Sequence, residues 1–285
     1  MSIKQTLVYG KGGNRDLYLD LYEPASSESA RTAVILLHGG GWSQGNKEMM
    51  EVFGPELTGH GFAVLAPEYR LLGEAPWPAQ IEDVKASIRW VRANANKLGI
   101  DPDKIALQGF SAGGHLSLLA AGTPRLAAFA GQGGNPDEAD DVAAVIAFFS
   151  PGEISLHPGN AGRVPATVLL GEGATEEDAR QISPVTYFSA DYPPTFFIHG
   201  TADGAVPHKM SQDMFNSLAA LGVPTELHLY PGHTHEFARL PSMLSNTQAE
   251  IALFLRRMVV DPEKYVQENL DLNMFARGIP PISTL

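Results

Sequence analysis

The order of apolar segments along the chain is the feature that most constrains its fold. Between residues 33 and 229, short continuous apolar runs alternate with stretches of helical pattern. The runs are Ala33–Leu37, Phe62–Ala66, Ile105–Leu107, Val142–Phe149, Thr195–Ile198 and Glu226–Leu229. Continuous apolar runs are typical of strands that are buried on both faces of a parallel sheet. The alternation therefore predicts one α/β domain with a mostly parallel sheet flanked by helices.

Two more strands are predicted at the N-terminus. Residues 6–9 are mostly apolar, and a turn-forming cluster follows at residues 10–14. Leu17, Leu19 and Leu21 then recur at every second position, which is the period of a strand with one buried face. With the six runs above, the chain is expected to form an eight-stranded sheet.

The segments between the apolar runs carry the spacing of helices. Apolar residues separated by three or four positions recur from Ile81 to Ala95 and from Met210 to Leu221. Such spacing places them on one face of a helix. A third helix is predicted to begin near Thr247, because Thr247 and Glu250 have the spacing of a capping box ahead of Ile251.

Residues 1–260 are predicted to form a single domain that carries one insertion. Residues 152–184 are rich in glycine, proline and polar side chains without a clear period, and connections of that length are commonly lids or binding loops. Residues 261–285 form a tail with scattered apolar residues, which we expect to pack on the body or on a partner subunit. Those residues are Val266, Leu270, Met274, Phe275 and Ile279.

The composition argues against several classes of partner. The 285 residues include no cysteine, so disulfides, thiolate metal sites and a cysteine nucleophile are absent. The net charge of −12 opposes binding to nucleic acids and anionic membranes, which are held largely by lysine and arginine contacts to phosphate. No apolar run has the roughly 18 residues of a membrane span. Since residues 1–5 lack the apolar core of a signal peptide, a cytoplasmic location is expected.

The strongest chemical signal is a serine between two glycines. Residues 109–113 read Gly-Phe-Ser-Ala-Gly, directly after one apolar run and before a helical stretch. The pattern G-x-S-x-G between a strand and a helix is typical of a nucleophilic serine held on a tight turn. Ser111 is therefore the candidate nucleophile, and a small-residue surface turn is the alternative interpretation.

A second signal is the run of three glycines in His-Gly-Gly-Gly-Trp at residues 38–42. Glycines leave backbone N–H groups accessible to a ligand, and such donors can stabilise an oxyanion. Gly40 and Gly41 are the candidate donors, together with the N–H of Ala112. His38 is interpreted as a residue that holds the loop. A flexible or phosphate-binding loop is the alternative, but the lysine of a P-loop does not follow.

A nucleophilic serine needs a base and an acid that orients it. Asp203 and His235 each follow an apolar run. The order serine, acid, histidine is that of enzymes whose nucleophilic serine lies in a G-x-S-x-G turn between a strand and a helix. Both positions are predicted at the carboxyl ends of strands, where open α/β sheets hold ligands. His233 is the competing base, and a metal-binding His233/His235 pair is a further alternative. The remaining histidines are expected to be ordinary surface or helix residues.

These motifs together resemble the esterase/lipase branch of the α/β-hydrolase fold that carries the HGGG motif, called hormone-sensitive-lipase-like. Within that branch the chain looks most similar to feruloyl/acetylxylan-esterase-like carboxylesterases. The likeness covers roughly residues 6 to 258. It is carried by residues 38–42, 67–70, 76–83, 109–115, 183–187, 193–194, 199–203 with Pro207, and 235–237. In this family the histidine usually precedes a small residue and then phenylalanine, so Phe237 favours His235 over His233, with Glu236 as a departure from the pattern.

The resemblance implies an α/β-hydrolase fold and a serine carboxylesterase acting on small-molecule esters with short-chain or aryl groups. It implies no metal and no organic cofactor, and a homodimer is one assembly it leaves open. Trp42, Tyr69 and Phe110 are expected at the pocket wall because they adjoin the motifs. An amidase, aryl-formamidase or peptidase with the same residues is the alternative enzyme. A non-catalytic binding protein is disfavoured because no member of the Ser-His-Asp set is missing.

Overall fold

The computed structural model describes residues 3–25, 29–156 and 164–272 of the chain. The strands are β1 Ile3–Gly12, β2 Arg15–Glu23, β3 Ala33–Leu37, β4 Ala63–Pro67, β5 Ile105–Phe110, β6 Ala144–Phe148, β7 Ile154–Ser155, β8 Val164–Pro165, β9 Thr195–Gly200 and β10 Thr225–Tyr230. The helices are α1 Phe53–Gly59, α2 Ala79–Ala93, α3 Ala95–Leu98, α4 Ala112–Gly122, α5 Ala127–Ala130, α6 Thr167–Leu170, α7 Glu176–Gln181, α8 Lys209–Ala220, α9 Pro241–Leu255 and α10 Pro262–Leu272. Short 3-10 turns occur at Lys47–Met50, Pro184–Tyr187 and Phe237–Arg239, and a π-helical turn at Arg256–Val260.

Eight strands form one sheet in the order β1-β2-β4-β3-β5-β6-β9-β10. The hairpin β1–β2 is antiparallel and pairs with β4 in the same sense, whereas every other neighbouring pair is parallel. The six strands expected from the apolar runs and the two expected at the N-terminus are thus the eight strands of this sheet. Strands β7 and β8 form a separate two-stranded pair.

Helices cover both faces of the sheet, which explains the continuous apolar runs. Along β3 the side chains alternate between two cores: Ile35 packs on the side of α2 and α4, and Val34 and Leu36 pack on the side of α1 and α9. Helix α8 lies on the same face as α4, where Met214 and Leu118 share one apolar cluster. Every residue of β3, β4, β5, β6 and β9 is buried, while edge strand β10 is half-buried.

The predicted start of the last long helix of the domain was wrong. Helix α9 begins at Pro241, six residues before Thr247. Proline is favoured in the first turn of a helix because the N–H it lacks would be unpaired there, so Pro241 marks the true start. Thr247 lies inside the helix, where its hydroxyl donates to the carbonyl oxygen of Leu244 at 3.1 Å instead of capping.

The described parts of the insertion and of the tail contain short elements. The described parts of residues 152–184 contain β7, β8, α6, α7 and the start of a 3-10 turn. The tail begins with α10, on which Leu270 is 41% exposed, and Met274, Phe275 and Ile279 lie outside the described residues. Within the described ranges, no helix combines the length and apolarity needed to cross a membrane.

Candidate active site

Ser111 lies on a strained turn between β5 and α4. Its backbone has φ 51° and ψ −116°, a conformation that residues with a β-carbon rarely adopt. The turn depends on close backbone approach, because a β-carbon at Gly109 would lie 2.2 Å from the carbonyl oxygen of Gly113. The Ser111 N–H donates to the carbonyl oxygen of Phe148 at 2.9 Å and fixes the turn to β6. The serine side chain therefore stands at the carboxyl edge of the sheet, beside the N-terminus of α4.

His235 joins Ser111 to Asp203 by hydrogen bonds. Its Nε2 lies 3.1 Å from Ser111 Oγ, and its Nδ1 lies 2.6 Å from Asp203 Oδ2. The imidazole can accept the serine proton at Nε2 while its Nδ1–H donates to the carboxylate. The His235 side chain is 22% exposed and that of Asp203 is fully buried. The three residues predicted on separate segments are thus brought together in one hydrogen-bonded series.

The loop after β10 places the two neighbouring histidines differently. Phe237 is buried against Tyr230 and Phe149, and the Phe149 ring also lies 4.5 Å from the ring of His235. His233 packs its ring 5.1 Å from Phe237 and makes no ring hydrogen bond among the described residues. Its carbonyl oxygen accepts from the N–H of Ala202 at 2.9 Å, which ties the loop to the turn after β9. Sequence reasoning missed the supporting ring of Phe149.

Asp203 is the most heavily hydrogen-bonded carboxylate of the site. Its Oδ1 accepts from the backbone N–H groups of Ala205 and Val206 at 2.8 and 2.9 Å. Its Oδ2 accepts from His235 and, at 3.1 Å, from Nε2 of His199. Burial by itself raises the pKa of Asp203, but the hydrogen bonds from the two histidines and two amides outweigh it and lower the pKa below its usual range. Asp203 therefore stays ionised beside His235.

The glycine loop after β3 lies beside the serine. Gly40 has φ 120°, and a β-carbon there would lie 2.1 Å from the carbonyl oxygen of Gln44, so only glycine fits. Within the described part of the chain, the N–H groups of Gly40, Gly41 and Ala112 have no acceptor. Unpaired N–H groups at the start of a helix or in such a loop can receive a negatively charged oxygen. The three donors expected from sequence are therefore unengaged near Ser111.

His38 and Tyr69 hold this loop in place. The rings stack at 4.3 Å with an angle of 8° between their planes. His38 Nδ1–H donates to the carbonyl oxygen of Gly39 at 2.7 Å, and the Tyr69 hydroxyl donates to the carbonyl oxygen of His38 at 2.9 Å. Burial lowers the pKa of His38, which keeps the ring neutral. His38 has the loop-holding place expected from sequence.

The three aromatic residues expected at the pocket wall are all buried. Trp42, Tyr69 and Phe110 have 3%, 2% and 3% of their surface exposed. Phe110 packs against Phe53 and Phe148 in the core on the side of α1 and α9. Trp42 and Tyr69 belong to the core on the side of α2 and α4. Contact of the three residues with substrate stays a prediction.

Two histidines taken for ordinary surface or helix residues are buried and bonded. His199, at the end of β9, accepts from the hydroxyl of Ser211 at Nδ1 (2.8 Å) and donates from Nε2 to Asp203 and to the carbonyl oxygen of Val206. It is thus a second imidazole on the carboxylate that orients His235. The one sequence signal was its place four residues before Asp203 in the same turn, and the partner on α8 could not be foreseen.

His115, in α4, connects three elements of the site. Its Nδ1 accepts from the indole N–H of Trp42 at 3.3 Å, and its Nε2–H donates to the carbonyl oxygen of Ile182 at 2.7 Å. Burial lowers the pKa of His115 to about 4, so it is neutral at pH 7. This histidine therefore links the glycine loop and α4 to the end of the predicted lid.

Glu236 follows His235 in an unusual backbone conformation. Its φ of 63° and ψ of 13° are left-handed, which costs a residue with a side chain about 1–2 kcal/mol. Its Oε2 accepts from Arg239 Nε at 2.8 Å.

The described residues hold no group of three or more histidine, aspartate or glutamate side chains suited to a metal ion.

The sheet order, the serine turn and the hydrogen-bonded Ser-His-Asp series at the carboxyl edge define an α/β-hydrolase. The family model described as BD-FAE matches residues 19–218. The chain belongs to this family, which confirms the resemblance to the esterase branch of the fold.

Curated relatives and solved structures agree with this assignment. A probable carboxylic ester hydrolase, LipM of Mycobacterium tuberculosis, is 33% identical over 74% of this chain, and the chain spans about half the length of that relative (50%). A truncated carbohydrate esterase from gut microbiota has 31% identity and a TM-score of 0.77, covering 90% of this chain and 96% of that one. Esterase 2 of Thermogutta terrifontis, solved with propionate bound, has 28% identity and a TM-score of 0.76, covering 89% and 93% of the two chains.

Proposed function

We propose that the protein is a serine carboxylesterase that hydrolyses short-chain or aryl esters through a Ser-His-Asp triad. The observation that carries the proposal is the bridging imidazole of His235, which lies 3.1 Å from Ser111 Oγ and 2.6 Å from Asp203 Oδ2. A serine hydroxyl is a weak nucleophile until such a base accepts its proton. The named esterases among its relatives and structural neighbours support the same reaction.

Acylation begins when Ser111 Oγ attacks the ester carbonyl carbon and His235 Nε2 takes the serine proton. Asp203 holds the Nδ1–H tautomer and stabilises the imidazolium that forms. The carbonyl oxygen becomes an oxyanion, which the N–H groups of Gly40, Gly41 and Ala112 receive. In other serine hydrolases a single such donor contributes about 10²–10³ in kcat. Collapse of the intermediate breaks the ester C–O bond, and His235 returns the proton to the leaving alcohol.

Deacylation repeats the path with water as the nucleophile. His235 takes a proton from the water as the water oxygen attacks the carbonyl carbon of acyl-Ser111. The bond from that carbon to Ser111 Oγ then breaks, His235 returns the proton to Oγ, and the carboxylic acid leaves. No metal or organic cofactor is needed for these steps. Short acyl groups are favoured because no long cap domain is evident in the sequence and because the similar Thermogutta esterase was solved with propionate bound.

Ester and amide substrates distinguish the proposed esterase from an amidase or formamidase. We expect p-nitrophenyl acetate and butyrate to be hydrolysed much faster than p-nitrophenyl dodecanoate, p-nitroanilides or N-formyl aromatic amines. The Ser111→Ala variant, confirmed as folded by circular dichroism, should lose ester turnover. Faster turnover of the amides or formyl amines would instead indicate an amidase or formamidase with the same triad. Failure of every substrate would favour a binding protein.

A further inference from the structure

The carboxylate of Glu236 lies beside the proposed nucleophile, outside the triad. One of its oxygens, Oε1, would stand 3.5 Å from a β-carbon placed on Gly39, and Ser111 Cβ would stand 3.3 Å from the same point. Gly39 precedes Gly40 and Gly41, two of the three proposed oxyanion donors. The carboxylate thus flanks both the serine and the glycine loop.

This carboxylate is held in place and retains one unpaired oxygen. Arg239 binds Oε2 through Nε at 2.8 Å, and the Arg239 Nη1 donates to the carbonyl oxygen of Met49 at 3.1 Å. The guanidinium also lies over the Phe53 ring at 5.7 Å. Among the described residues, Oε1 has no hydrogen-bond partner, and the Glu236 side chain is 37% exposed. An anchored carboxylate loses little further freedom when it accepts a hydrogen bond from a ligand.

The position of Glu236 next to His235 places it on the side of the leaving alcohol. In the proposed mechanism, His235 Nε2 must reach the alcohol oxygen to return the proton, so the alcohol portion lies against the His235 loop. A carboxylate there accepts hydrogen bonds from hydroxyl groups and repels anions. Its left-handed backbone would suit glycine better, and backbone strain of this kind is found preferentially at functional sites.

We propose that Glu236 is a specificity-determining residue that binds hydroxyl groups on the alcohol portion of the ester. The inference rests on the proposed esterase function and adds to it the chemical class of the alcohol. Polyhydroxylated alcohols such as a sugar or glycerol present a hydroxyl close to the ester oxygen. Arg239 acts on specificity through Glu236, because it fixes the carboxylate and leaves Oε1 available.

The test uses acetate esters that differ only in the alcohol. The four substrates are propyl acetate, 2-hydroxyethyl acetate, acetylcholine and O-acetylglycolate. Their hydrolysis is measured in a pH-stat as the release of acid. The variants are Glu236→Gln, which keeps an acceptor without charge, and Glu236→Gly, which removes the side chain and suits the left-handed backbone. Asp16→Asn is the matched control, because it removes one exposed carboxylate from the β1–β2 hairpin. Comparing each variant with the unmodified protein cancels the intrinsic reactivity of each ester.

We expect Glu236→Gly to lower kcat/KM for 2-hydroxyethyl acetate relative to propyl acetate by about tenfold to a hundredfold, the range for a hydrogen bond to a charged group. Glu236→Gln should lower the ratio less, and both should improve O-acetylglycolate. A ratio unchanged in Glu236→Gly, an equal fall for all four esters, or a loss confined to acetylcholine would overturn the inference. If neither the unmodified protein nor Asp16→Asn hydrolyses any ester, the proposed function fails, and the assignment of Glu236 fails with it.

Discussion

Two histidines in the loop after β10 lie two positions apart and have different surroundings. His235 contacts both Ser111 and Asp203, whereas His233 packs its ring on Phe237. We predict that His235→Ala reduces ester turnover to the level of Ser111→Ala, because members of a triad act as a unit. His233→Ala should cost tenfold or less, about 1.4 kcal/mol on the barrier. Both are measured with p-nitrophenyl acetate after the fold is confirmed, and an inactive His233→Ala beside an active His235→Ala would reverse the assignment.

His199 is predicted to act as a positioning residue through Asp203. Replacing His199 by phenylalanine removes one donor from Oδ2 while leaving those from His235, Ala205 and Val206. The hydrogen bond from His199 helps to lower the pKa of Asp203, so its loss raises the pKa of that carboxyl. The acid limb of the rate profile should therefore move to higher pH, with kcat/KM about tenfold lower. A residue that served only to fill the core would leave the limb unmoved.

The pH profile of Ser211→Ala provides the matched control for His199. This variant keeps the imidazole on Asp203 but removes its partner at Nδ1. We expect a smaller shift of the acid limb than in His199→Phe. An unchanged limb in both variants, measured from pH 5 to 9, would contradict the positioning role.

Sequence motifs identified the residues of the Ser-His-Asp series but few of their supports. Ser111, Asp203 and His235 stand in short patterns whose spacing follows from local turns, so local sequence was enough to select them. The partners of His199 and His115 are Ser211 and the carbonyl oxygen of Ile182. Such contacts depend on how helices and the insertion pack on the sheet, and no local pattern encodes that.

At the scale of elements, the turn between β5 and α4 requires glycine at its start. A β-carbon at Gly109 would lie 2.2 Å from a backbone oxygen, and backbone cannot move as freely as a side chain. We predict that Gly109→Ala opens the turn, lowers the free energy of unfolding by about 3 kcal/mol or more and abolishes turnover. Urea denaturation and ester hydrolysis measure the two effects.

Gly59→Ala is the control for Gly109→Ala. Gly59 is the last residue of α1, and a β-carbon there would meet nothing within 4 Å. Alanine at that position should leave stability unchanged or raise it by up to about 1 kcal/mol. Equal behaviour of the two variants would show that the turn tolerates a side chain.

The strands could be predicted more completely than the ends of the helices. A strand buried on both faces is largely apolar, so the runs marked β3, β4, β5, β6 and β9. The last run, Glu226–Leu229, belongs to the half-buried edge strand β10, where polar and apolar residues alternate. The start of α9 depended on a competition between two local signals, Pro241 and the pair Thr247 and Glu250, and the earlier signal prevailed. The insertion at residues 152–184 gave no periodic signal, and the helices and strands in its described part are very short.

At the scale of the whole molecule, the tail after Val260 is expected to pack on the body or on a partner subunit. Helix α10 carries Leu270, which is 41% exposed, and further apolar residues follow along the sequence. Burying them against the body or a second subunit would stabilise the protein. We predict that truncation after Val260 lowers the melting temperature or changes the mass measured by light scattering, and no change in either would mean that the tail stays solvated.

Acid stability is a property of the whole fold to which His115 contributes. Its pKa is about 4 when folded and about 6.5 when unfolded, so between these values the unfolded chain binds the additional proton. The free energy of unfolding therefore falls as pH falls through this window, by about 3 kcal/mol in full. The glutamine side chain in His115→Gln does not titrate. We therefore predict that the urea midpoint of this variant falls less between pH 7 and pH 4.5 than that of the unmodified protein. The prediction holds whatever the stability of the variant at pH 7. Equal falls would place the acid sensitivity in other groups.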